Sequence, residues 1–126
     1  MDYTQKKEFN NKVETFVSEI QNIRNKSLAG VVAEGDKPAE WGIRPICGSN
    51  TYDLGYALVD EPNFIGEITE TLPAGVTFNS NCATVIFERL KGTPRPSATA
   101  NIIGLTYKSY ARTISINSSG RITYTE

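Results

Sequence analysis

The sequence contains no histidine. Without an imidazole, nucleophile machinery of the Ser-His and Cys-His kind is excluded. It has only two cysteines, Cys47 and Cys82, and no CxxC or other metal-type spacing. That pair reads either as a disulfide in an oxidising compartment or as two free thiols. It also lacks an excess of either charge: 13 basic residues face 14 acidic ones, net -1. The basic surplus of a bulk nucleic-acid binder is therefore missing. No run of about 18 apolar residues is present, so the chain as given is not expected to span a membrane. Its opening residues show no signal-peptide pattern. There is no internal repeat and no low-complexity tract. The 126 residues suffice for one domain with a real core, and a single domain over 1–126 is expected.

What is present begins with a helix. Phe9, Val13, Phe16, Val17, Ile20, Ile23 and Leu28 recur at three- and four-residue steps, one apolar stripe. Asp2 with Gln5 fits a capping box, and Gly30 suits the left-handed residue that ends a helix. The pattern predicts a helix over about residues 3–29, roughly 40 Å long. Its first turns are polar: Lys6, Lys7 and Glu8 precede the stripe, so this end is expected to protrude with no sheet to lie on.

After Gly30 the pattern changes to short strands. Val31 to Trp41, with Gly35, Asp36 and Pro38, reads as a loop or ragged edge. Strands are expected around Ile43, from Tyr56 to Val59, after Gly75, near Thr84 to Leu90, and in "IIGLTY" and "ARTISIN" joined at Lys108 to Tyr110. In "LPAGVTF", Pro73 at the second turn position and Gly75 at the fourth suggest a type I turn. "KGTPRPSATAN" reads as a loop. In "TISINSSGRITYTE", Ile114 and Ile116 alternate with polar residues, as do Ile122 and Tyr124. The loop Ser118-Ser119-Gly120 suits a type I turn followed by a left-handed residue. It would pair Asn117 with Arg121, Ile116 with Ile122 and Ile114 with Tyr124, putting every apolar side chain on one face. The class is α+β: a long N-terminal helix on a mostly antiparallel sheet of about six to eight strands, closed by a β-hairpin.

Four stretches, in this order, resemble the type IV pilin and type II secretion pseudopilin fold, and more narrowly the GspH/FimT-like minor pilins and pseudopilins. "IQNIRNKSLAG" is similar to the family's helix end. "WGI" followed by "YALVD" resembles an early strand pair. "LPAGVTF" followed by "VIFERLKG" resembles the Leu-Pro-x-Gly-Val and Ile-x-Phe…Gly strands. "ISINSSGRITY" resembles the closing hairpin with its Gly-Arg turn. The resemblance covers nearly the whole chain. It implies a non-enzymatic subunit of a pilus-like or secretion filament, packing through its helix and displaying its β-domain. It also implies partners that are other pilin or pseudopilin subunits, and a prepilin leader with an apolar membrane segment preceding these residues. The location would be the cell surface or an extracytoplasmic filament, membrane-anchored before assembly, with the isolated domain monomeric. No cofactor or metal is implied.

Three surfaces compete with ordinary packing. Lys91, Lys108, Arg112 and Arg121 could form a basic patch near the terminal hairpin. Some minor pilins of this family bind DNA through such a region, but Thr123 stands where a second Arg would be needed, so a solvated strand face and no DNA binding are expected. Trp41, Tyr52, Tyr56 and Tyr110 could form an aromatic surface, although core or rim packing is the favoured reading. Asp53, Asp60 and Glu61 could attract calcium, but they match no loop template for the six to eight oxygens that ion takes. The expected packing stripe is Phe9, Val13, Phe16, Ile20 and Ile23. The rival function is a free-standing secreted module that recognises a glycan or a protein with its β-face.

Overall fold

The computed structural model describes residues 3–59, 61–95 and 101–125. Asp2 of the expected cap and Asp60 of the calcium triplet lie outside these residues, as does part of the expected loop at 91–101. A helix, α1 (Tyr3–Leu28), opens the chain and is followed by β1 (Val32–Ala33), β2 (Lys37–Pro45), β3 (Thr51–Leu58), β4 (Ile65–Thr71), β5 (Val76–Cys82), β6 (Val85–Phe87), β7 (Pro94–Arg95), β8 (Asn101–Tyr107), β9 (Tyr110–Ile116) and β10 (Ile122–Thr125). Two sheets form. One runs β4-β3-β2-β6-β7 with β1 beside β2; the other runs β10-β9-β8-β5. All pairings are antiparallel.

The helix buries Phe9, Val13, Phe16, Ile20, Ile23 and Ser27. These follow the three- and four-residue steps of one face, so burying that face removes six side chains from water together. Phe16 stacks edge-on against Tyr52 and Phe78, which come from the two different sheets, with ring centroids 5.1 Å and 5.6 Å away. One core thus lies between the helix and both sheets, and Ile43, Phe87, Ile103, Leu105 and Ile114 fill it with no exposed surface. Leu28, expected on the stripe, lies at the surface instead, because the helix ends there and Gly30 turns the chain away at φ 68°.

Ser27 closes that end. Its Oγ accepts the Trp41 backbone N–H at 2.7 Å, while its carbonyl accepts the Leu90 N–H at 2.8 Å. A fully buried serine is sustained here because its polar atoms are hydrogen-bonded. Glu40, also buried, accepts the Arg89 N–H at 3.0 Å and meets Arg95 Nε at 2.8 Å, tying β2 to the β6–β7 segment.

The terminal hairpin has the expected register: Ile116 faces Ile122 and Ile114 faces Tyr124. The Gly120 N–H reaches the Asn117 carbonyl at 2.9 Å and the Asn117 N–H reaches the Arg121 carbonyl at 3.0 Å. Asn117 Oδ1 adds bonds from the Ser119 and Arg121 N–H groups, both at 3.0 Å, a side-chain turn that the alternation did not reveal.

Several strands depart from expectation. The ragged edge at 31–41 is a small hairpin: β1 pairs with the first residues of β2, and Gly35 and Asp36 turn between them with φ of 78° and 57°. The strand expected at Thr84 to Leu90 stops at Phe87, because the Gly92 N–H donates back to the Glu88 carbonyl at 2.9 Å and closes a turn. The turn before β5 is shifted by one residue. The Val76 N–H donates to the Pro73 carbonyl at 3.1 Å and Gly75 has φ 84°, so Gly75 occupies the third position of a type II turn. The strand β4 shows no alternation in the sequence, because nearly every residue in it is exposed.

Gly42, in the "WGI" segment, is fixed by packing. A Cβ there would run into the Val85 carbonyl and stand 2.9 Å from Ile86 Cα, so only glycine lets β6 pair this closely with β2.

Candidate functional site

The helix is held along both flanks by polar pins. Tyr107 Oη donates to Glu8 at 3.1 Å, Arg112 Nε to Asn10 at 3.0 Å, Tyr124 Oη to Glu14 at 2.9 Å, and Lys12 Nζ to the Ala74 carbonyl at 2.7 Å. Near the other end, Arg24 Nε donates to the Gly92 carbonyl at 2.8 Å. The first turns, expected from sequence to protrude, instead touch the sheets, because the β8–β9 turn reaches back to them. Tyr110 Oη lies 3.5 Å from Gln5 Oε1, and Lys6 is half-buried. Tyr3, Thr4 and Lys7 remain exposed, Tyr3 at 76%.

Beside the second half of the helix, α1 and the β3–β4 hairpin leave a groove of about 240 Å³. Ile23, Trp41, Leu54 and Ile68 form its apolar lining, and Glu19 and Glu67 stand on its rim. Lys26 Nζ sits 3.8 Å from the centre of the Trp41 ring, a cation–π contact that occupies this cation. Neither Glu19 nor Glu67 has an ion-pair partner among the described residues. Nearby, the Tyr52 hydroxyl is pushed up to about 12, first by burial and then by the facing carboxylates of Glu19 and Glu70. The groove's outer wall is β4, an edge strand on which Ile65 and Ile68 are 44% and 54% exposed.

The residues considered from sequence separate into different places. The five stripe residues Phe9, Val13, Phe16, Ile20 and Ile23 are buried in the core. Cys47 and Cys82 are joined by a disulfide, with Cα atoms 5.5 Å apart, linking the β2–β3 loop of one sheet to the end of β5 in the other. The expected basic surface does not form one patch. Arg112 is only 4% exposed and lies against the helix, its guanidinium 5.1 Å from the Phe9 ring. It shares parity with Tyr110, Ile114 and Ile116 on the inward face of β9. Lys108 is exposed at the β8–β9 turn, while Arg121 and Lys91 are exposed near the far end of β9. Those ends are separated by seven strand residues, a span of about 20 Å or more. Trp41, Tyr52 and Tyr110 are buried and Tyr56 is half-buried against Trp41, so they make no open aromatic face. Asp53 is committed to Arg44 at 2.8 Å and to the Thr69 hydroxyl at 2.8 Å, and these hydrogen bonds hold its carboxyl below the usual range. No cluster of potential metal ligands occurs among the described residues.

No protein-family model matches the chain, and no curated protein matches it in sequence. Among solved structures it superposes on the crystal structure of the type IV minor pilin FimU of Pseudomonas aeruginosa with a TM-score of 0.62. The match covers 93% of this chain and 92% of that one at 13% identity. The fold is pilin-like. The likeness extends over the long helix and the β-rich part together, and at this identity it carries the fold alone. No helix among the described residues is long and apolar enough to cross a membrane.

Proposed function

We propose that this chain is a minor pilin or pseudopilin: a non-enzymatic subunit of a type IV pilus-like or type II secretion filament. Residues 1–126 would act as one pilin-like domain that assembles through α1 and displays its β-rich part outward. The observation that carries the reading is the near end-to-end structural match to a minor pilin. The outward face of α1 is in keeping with it. From Thr15 onward the exposed polar residues of that face, Thr15, Ser18, Asn22 and Asn25, are uncharged, whereas Lys7, Glu8 and Glu14 precede them. Short uncharged side chains let neighbouring helices approach closely, whereas a solvated helix usually carries charged pairs there.

In this reading the subunit is anchored in the membrane by an apolar segment preceding residue 1 and then works outside the cytoplasm. The Cys47–Cys82 bridge accords with an oxidising compartment. DNA is not a partner: the charge balance and the dispersed cations offer no array of phosphate contacts. The isolated chain is a monomer at micromolar concentration. Assembly is tested by expressing the full-length gene with and without prepilin peptidase. Processing and filament incorporation that both depend on the peptidase support the reading. A protein secreted free, with no processing and no filament, supports a binding module instead.

A further inference from the structure

Unmatched charge and unmatched apolar surface occur at two separate places on this molecule. The first is the start of α1. Tyr3 is 76% exposed, and Lys7, one turn later on the same helical face, is exposed with no partner among the described residues. The second is the groove between α1 and the β3–β4 hairpin. It offers the reverse: an apolar lining of Ile23, Trp41, Leu54 and Ile68, with Glu19 and Glu67 unpaired on the rim. Its volume of about 240 Å³ is ample for one aromatic side chain. Lys26 lies on the Trp41 ring and pairs with neither carboxylate, so one cation faces two acids in the groove.

The two places cannot meet within one chain. Tyr3 and Asn22 lie on one continuous helix, so at 1.5 Å per residue they are about 28 Å apart. Nor does β4 offer a regular edge to another β4, because its register with β3 shifts between Leu54 and Gly55 and such a bulge interrupts an edge. We propose that the groove receives the start of α1 from a second copy of this chain. The Tyr3 ring enters against Ile68 and Leu54, and Lys7 meets Glu19 and Glu67. This inference rests on the filament reading for its biological setting, and it names the surface through which one subunit would hold the next. With a single aromatic anchor and surface charges the contact is weak, and it becomes visible only at high concentration.

The test uses the 126-residue chain with photoreactive benzoylphenylalanine in place of Tyr3. Nitrogen-14 and nitrogen-15 preparations are mixed at about millimolar concentration, irradiated and mapped by mass spectrometry, so that only mixed-isotope adducts count. The expected adducts lie on Leu54, Ile68 and their neighbours. Lys7→Glu and Glu67→Lys each lower the yield roughly threefold, and the combined variant recovers it. Adducts mapping to another face, no mixed-isotope adducts, or a combined variant as poor as either single change would overturn the proposal. The assay needs no filament and no membrane segment. Its failure leaves the pilin reading standing, and failure of that reading in cells does not alter the adduct map.

Discussion

Arg24 and Gly120 meet across the fold: a Cβ placed on Gly120 would stand 2.8 Å from Arg24 Nε and would strike the Gly92 carbonyl. The helix thus reads the last turn of the chain. Its guanidinium bonds Gly92 O at 2.8 Å and lies 3.4 Å from Ser119 O, tying the turn after β6 and the terminal hairpin to α1. Gly120 also has φ 88°. Gly120→Ala is therefore expected to cost about 1–3 kcal/mol in denaturant unfolding. Arg24→Ala is expected to cost on the order of 1 kcal/mol. Because the residues touch, the double variant should lose less than the sum of the two. Strict additivity would show that Arg24 does not act through this turn.

The two ends of the helix should respond differently to truncation. Phe16 is 1% exposed and packs on rings from both sheets, so Phe16→Ala should lower stability by about 3–5 kcal/mol. Lys7→Ala, at an exposed position, should change it by no more than about 0.5 kcal/mol. Chemical unfolding measures both. A large loss at Lys7 would mean that the helix start belongs to this domain's own core.

The disulfide should stabilise the domain chiefly by restricting the unfolded chain. Cys47 and Cys82 are 35 residues apart, and a loop of that size is worth about 3–4 kcal/mol on the chain-entropy view. Thiol titration of unfolded, unreduced protein should find no free thiol, and adding reductant should lower the melting temperature. Two titratable thiols per chain would contradict the bridge.

Tyr52 makes stability fall at high pH. Its hydroxyl titrates at about 12 in the folded protein against 10 ordinarily, because burial and then Glu19 and Glu70 disfavour the phenolate. The folded pKa is raised, so the associated stability is fully present below pH 10 and is lost as pH rises from 10 towards 12. The difference between the phenol titrations of wild type and Tyr52→Phe should show one group with a midpoint near 12. A midpoint near 10 would contradict the burial.

Periodicity made the core legible. The helix stripe from Phe9 to Ile23 and the hairpin at 114–124 each turn one apolar face to the core, and in the hairpin a single register pairs every apolar residue with another. Exposure hid β4. Its Ile65 and Ile68 are wet, so no alternation marks it, and only backbone pairing to β3 defines the strand. The charge of Arg112 conceals its inward place on β9. Period two alone puts it with Tyr110 and Ile114, and Asn10 supplies the partner that makes its burial tolerable. The groove could not be read from sequence at all. Its lining comes from α1, β2, β3 and β4, and only the packing of the helix beside the β3–β4 hairpin brings Ile23, Trp41, Leu54 and Ile68 together.

The central claim is that this chain is a filament subunit. The most direct measurement is mass spectrometry of surface or periplasmic filaments purified from the native host, after chemical cross-linking of intact cells. The account predicts that the protein is present in the filament fraction, bridged to other pilin-like subunits through residues of α1. Absence from every such fraction, with the protein recovered free and unbridged at normal abundance, would contradict it.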